Sequence, residues 1–238
     1  MGILRNKMLV ISIITVLLFT GCSAPAASTP APENAEQTKQ ISTLQAEVIA
    51  KDSQILDLTT KFAELQALSS SSSATLLQTS LNVMQAIKDK DMNALAAYVH
   101  PTLGVRFSPY AHIDLVNHLS FAAINLPALL TDPTVYTWGS FDGSGDPINY
   151  KFSDYYDNFI YDEDYLNPHL IGNNTIIGKG NLINNIATAY PSASFVEFHF
   201  TGFDPQYTGL DWTSLILVFE NVSGNWLLVG IVHSQWTI

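Results

Sequence analysis

Three stretches close to the C-terminus, 194–201, 213–220 and 225–236, limit what this chain can become. Each is rich in aromatic and β-branched residues and free of proline, the composition of half-buried strands. Ser223-Gly224-Asn225 supplies the turn between the last two. Upstream the signals are mostly helical. Leu77, Leu81, Met84 and Ile87 line one side of 76–87. Asp91 is a good N-cap for a short helix over 92–99, which ends before His100-Pro101 because a residue preceding proline disfavours α geometry. Residues 105–110 look extended. A helix is expected over 121–130, stopped by Asp132-Pro133, and a strand over 135–138. The turn-rich run 142–147 follows, then a helical or irregular 152–160. A further helix over 180–190 ends before Pro191. Helices first and an antiparallel meander last make an α+β domain over 74–238.

The N-terminus reads as an address. Arg5 and Lys7 precede an uncharged apolar run from Met8 to Phe19, the form of a secretory signal. The run is too short to span a bilayer, which takes ~20 apolar residues. Gly21-Cys22 resembles the lipobox of bacterial lipoproteins, with Phe19 where that pattern most often has Leu. The resemblance implies a signal peptide over 1–21, a diacylglyceryl group on Cys22, and a chain held at the outer face of the cytoplasmic membrane. Cys22 is the only cysteine, so with it lipidated no disulfide, cysteine–zinc site or cysteine nucleophile remains. Removing 1–21 takes two of the 10 basic residues and none of the 21 acidic ones, leaving 8 against 21. So acidic a chain is a poor partner for nucleic acid, whose phosphates call for clustered Lys and Arg.

Residues 22–32 are Ala/Ser/Pro-rich and read as an extended spacer. Residues 33–68 contain no Gly or Pro. Ile41, Leu44, Val48, Lys51, Ile55, Leu58, Phe62 and Leu65 alternate at spacings of three and four, the seam of a coiled coil. Seven of the eight are apolar. This predicts a helical stalk that forms a parallel homo-oligomer, or else a single amphipathic helix lying on its own domain. The five-serine run 69–73 is expected to break the helix and mark the domain boundary.

Two parts of the domain resemble NTF2-like (SnoaL-type, cystatin-like) domains. One is 86–98 with His100-Pro101 and Phe107-Ser108-Pro109. The other is 215–220 with Gly224-Asn225-Trp226-Leu227-Leu228-Val229. The whole chain is also similar to a group of uncharacterised lipoproteins of Gram-positive bacteria, through Gly104-Val105-Arg106-Phe107-Ser108-Pro109-Tyr110, Trp138-Gly139, Asp142-Gly143-Ser144-Gly145 and the C-terminal run from His233 to Ile238. The resemblance implies a cone of N-terminal helices on a curved antiparallel sheet, with a pocket on the concave face. That scaffold carries enzymes, adaptors and binding proteins, so it does not give the function.

Strand alternation sorts the candidate site residues. Val196, Phe198 and Phe200 share one face of their strand; Glu197 and His199 share the other. Pairing of the last strands brings His233 beside Glu197 and His199, unless a bulge in the last strand sends it to the other side. A carboxylate beside a histidine is equipped for acid–base work. The alternative is that these groups line a wet face or are satisfied within the core. Trp138 and Tyr110 are expected near the pocket rim, where aromatics stack on sugars or apolar ligands, or else belong to the core. No metal site is expected: the six histidines lack zinc spacing, and Asp142, Ser144 and Asp146 start a calcium-like loop that Pro147 breaks. No cofactor fingerprint or nucleophile elbow is present. Two readings follow. The chain is a tethered module binding a small ligand, wall fragment or protein, or an NTF2-like hydrolase or isomerase using a Glu/His pair.

Overall fold

The computed structural model describes residues 32–181 and 183–237. The expected signal, Cys22 and nearly all of the spacer lie outside the described residues. The chain divides into two units, one ending at Thr59 and the other starting at Thr60. Helix α1 (Pro32–Lys88) contributes to both. Among the described residues no helix is long and apolar enough to cross a membrane.

The serine run does not break α1. Residues 69–73 are helical throughout. Trp226 Nε1 donates to the Ser72 carbonyl at 3.3 Å and to Thr75 Oγ1 at 3.2 Å. The next turns bury Leu76, Val83, Met84 and Ile87, so tertiary docking overrides the weak helix propensity of serine. Asp91 caps α2 (Met92–Tyr98) as expected, its carboxylate accepting from Asn93 and Ala94 N–H.

The second unit is α+β. Its main sheet contains β1 (Val105–Ser108), β2 (Ser120–Phe121), β5 (Leu170–Asn173), β6 (Ser194–Phe200), β7 (Thr213–Val222) and β8 (Asn225–Gln235), in the order β2-β1-β8-β7-β6-β5. Every pairing is antiparallel except β1 with β8. A separate hairpin joins β3 (Val135–Ser140) to β4 (Pro147–Lys151). One sheet face carries Val196, Phe198, Leu215, Leu217, Phe219 and Ile231. It packs on Met84 and Ile87 of α1, Leu95 of α2, and the aromatic helix α4 (Phe152–Phe159). The opposite face carries Ile216, Val218, Val229 and Val232 under Ile113 and Ile186. Both faces are therefore covered.

Two expected helices shrink. Phe121 belongs to β2, and only a 3-10 turn over 123–125 and α3 (Leu126–Leu129) follow it. Among the described residues of 180–190 only α5 (Ile186–Ala189) is helical. Residues 175–181 and 183–185 form an irregular strap over the second sheet face. It is tied down at two points: the Glu197 carboxylate accepts from the Ile177 and Gly178 N–H groups, and the strap's own Asn185 side chain brackets the Ile113 backbone, accepting from its N–H at 2.7 Å and donating to its carbonyl at 3.0 Å.

Candidate functional site

The five predicted site residues do not form one cavity. Glu197 and His199 share a face of β6, as alternation requires. The register then runs His199↔Ser214↔Ser234 on that face and Phe198↔Leu215↔His233 on the other. His233 therefore lies on the helix-covered face, away from His199. The cause is a bulge. Near the turn Val222 faces Asn225 and Phe219 faces Leu228, but beyond it Val218 faces Gly230. Val229 is the extra residue, and every later β8 residue is turned over by one position. Without it His233 would stand opposite Ser214, beside His199. The Glu/His pair expected across β6 and β8 is not assembled.

Glu197 is fully buried and acts as a latch. Its Oε2 accepts from Ile177 N–H at 2.6 Å. Its Oε1 accepts from Gly178 N–H at 2.9 Å and from the Ser214 hydroxyl at 2.7 Å. Since the Ser214 hydrogen is given to Glu197, Ser214 Oγ accepts from His199 Nδ1 at 2.8 Å. Burial holds the His199 pKa below its usual value, against the pull of Glu197. A small cavity of about 320 Å³ lies beside Glu197, walled by Trp212, Gly178 and Gly180. Gly178 is required there, because a Cβ would come within 2.5 Å of the Trp212 ring.

His233 belongs to a second buried network. Its Nε2 lies 3.1 Å from Asp162 Oδ2 and 3.2 Å from Thr213 Oγ1, and its Nδ1 lies 3.3 Å from the Pro109 carbonyl. The Tyr165 hydroxyl donates to Asp162 Oδ1 at 2.9 Å and sits 2.9 Å from Thr213 Oγ1. Burial works to raise the Asp162 pKa, but the hydrogen bonds and charge of His233 outweigh it and hold it low. Trp138 is core rather than rim. Its ring is fully buried, stacks on Tyr155 at 4.1 Å, and donates Nε1 to the Tyr150 carbonyl at 3.0 Å.

Tyr110 does line an open cleft. About 620 Å³ in volume, it lies between the residues after β1 and the β3–β4 hairpin, walled by Tyr110, Asp114, His118, Gly139, Phe141 and Asp142. The Asp114 carboxylate accepts from the Asn117 side-chain amide and from the Val116 and Asn117 N–H groups. These bonds hold its pKa down at about 2, the side-chain amide first. The turn so made positions His118, whose Nδ1 accepts from Asp114 N–H at 3.1 Å and lies 2.9 Å from the Ser108 hydroxyl. A backbone N–H only donates, so Nδ1 is the bare nitrogen and the proton of the neutral ring sits on Nε2. Burial first, then Arg106 and His112, keep the ring neutral by lowering its pKa, although Asp114 opposes them. Arg106 Nη1 donates to the His118 carbonyl and steadies it from β1.

Gly139 leaves room beside Nε2. Its φ is +135°, and a Cβ there would lie 3.4 Å from His118 Nε2 and from Pro109 Cγ. A fixed N–H donor beside that glycine, flanked by Tyr110 and Phe141, is equipped to hold an oxygen-bearing ligand. Burial raises the Tyr110 pKa, so its hydroxyl stays protonated. Sequence reasoning met His118 only as one of six scattered histidines. The usable signals were Asp114 three residues before Asn117, an Asx turn, and a glycine inside a strand, which often marks a close approach. Searches of protein-family models, curated proteins and solved structures found no match to this chain.

Proposed function

We propose that this chain is a lipid-anchored, extracytoplasmic binding module of NTF2-like build. Lipid on Cys22 holds it at the membrane, and the cleft around His118 takes a neutral, hydroxyl-rich ligand such as a cell-wall saccharide. The NTF2-like reading rests on the Asp91-capped α2 leading into β1 and on the long final hairpin that turns at Gly224. The observation that carries the binding reading is the His118 tautomer, which fixes an Nε2–H donor beside Gly139. Asp142 offers acceptors to hydroxyl groups, while Tyr110 and Phe141 offer ring faces to C–H groups. The carboxylates of Asp114 and Asp142 oppose an anionic ligand.

The test is titration of the full chain, in detergent, with N-acetylhexosamine oligosaccharides, followed by saturation-transfer NMR and calorimetry. Binding is expected, and both His118→Ala and Asp142→Asn weaken it roughly tenfold or more, about 1.4 kcal/mol. Lys90→Ala, which removes a surface ion pair with Asp157, leaves it unchanged. No binding, or equal binding by all variants, would overturn the reading.

A further inference from the structure

We propose that α1 pairs with α1 of a second copy as a two-stranded, parallel, in-register coiled coil over residues 41–65. The proposal goes beyond the ligand cleft and does not rest on it. The helix is continuous through this stretch. The seven apolar seam residues are each 56–66% exposed, so nothing among the described residues covers their stripe. The spacing fixes the heptad: Ile41, Val48, Ile55 and Phe62 stand at a, and Leu44, Lys51, Leu58 and Leu65 at d. β-Branched residues at a with leucine at d favour two parallel strands over three or four.

Area supports the same partner. A buried apolar side chain withdraws roughly 60–120 Å² from water. Seven from each copy withdraw about 800–1,700 Å², which overlaps the ~1,200–2,000 Å² of stable specific interfaces. A bilayer surface fits less well. Between 36 and 65 the helix carries Glu36, Glu47, Asp52, Asp57 and Glu64 against Lys39, Lys51 and Lys61, whereas interfacial helices present a Lys/Arg-rich polar face.

Lys51 supplies the orientation. In a parallel pair its d position is flanked by Asp52 at e of the second copy and by Glu47 at g of its own. Glu47 at g and Asp52 at e of the second copy face each other across such a pair and would repel. The two Lys51 ammonium groups lie at the same level and neutralise that acidic edge. The Glu47-to-Lys51 spacing is also the favourable i, i+4 order. The register continues past the stalk. Ser69 and Ser72 occupy the next a and d positions and are exposed; Leu76 and Val83 occupy later a positions and are buried in the chain's own core. The serines thus mark where the stripe changes from a second copy to its own domain.

The test uses the full chain with Cys22→Ser, which removes the lone thiol. Sedimentation at about 1–100 µM should give a dimer mass. Adding Leu58→Cys should yield a disulfide-linked dimer on mild oxidation, whereas Ile49→Cys, at an outer b position, should not. Antiparallel pairing sets a against d, so a single d-position thiol would then never meet its copy. Lys51→Glu should weaken dimerisation roughly tenfold or more, with the loss shrinking at high salt. A monomer at the highest concentration, a trimer mass, absent cross-linking at position 58, or indifference to Lys51→Glu would each overturn the proposal.

Discussion

Replacing Glu197 by alanine should free the strap without dissolving the sheet. The carboxylate receives two backbone N–H groups and one hydroxyl. A hydrogen bond to a charged group contributes ~1.5–3 kcal/mol, and each buried donor left without an acceptor costs ~1–3 kcal/mol. Lifting the strap would re-solvate the Ile177 and Gly178 N–H groups and cap the loss, so the expected cost is about 3 kcal/mol. At ~2–4 °C per kcal/mol for a domain of this size, melting should fall by ~6–12 °C. Glu197→Gln keeps the volume but offers only one acceptor oxygen, so one of the two N–H groups then faces a donor. It should cost nearly as much. The local readout is amide hydrogen exchange. Protection at Ile177 and Gly178 should collapse, while that of Leu217 in the central strand follows only the global change. If Glu197→Gln melts within ~1 °C of the parent and both amides keep their protection, the latch is not what holds the strap.

Four further outcomes are expected. His118 and His199 both have folded pKa values lowered by burial; the unfolded chain therefore binds more protons below ~6.5, and stability should fall as pH drops through that value, more gently in His118→Asn and His199→Gln, as followed by urea unfolding. Phe198→Ala opens a void in the helix-covered core and should cost ~3–5 kcal/mol by the same assay. Gly178→Ala drives a methyl group into the Trp212 ring and should cost ~1–3 kcal/mol, with a change in tryptophan fluorescence. Cys22→Ala should release the mature chain from the membrane fraction or block its processing, as read by fractionation and blotting; unchanged fractionation would remove the anchor.

The last three strands were legible because alternation is local: Val196, Phe198 and Phe200 declare one face wherever their strand sits. β2 and β5 were not, since strands of two and four residues carry too little pattern and exist by pairing. The path of the strap was not legible because tertiary contacts hold it: Glu197 accepts from the Ile177 and Gly178 N–H groups, and the Asn185 side chain bonds the Ile113 backbone. The relation between strands depends on register, which the turn at Ser223-Gly224 sets correctly for the first four pairs. That register alone would have put His233 beside His199. One extra residue, Val229, reverses it. The trace of that reversal in the sequence is Gly230, a glycine inside an otherwise unbroken run of strand formers, and an isolated glycine in such a run is a bulge signal. Its position is also tight, for a Cβ at 230 would lie 3.4 Å from Val218 Cβ. The bulge beside that glycine thus decides which side of the sheet His233 faces. His118 was not singled out from the sequence, although the Asp114 turn that fixes it is a local signal.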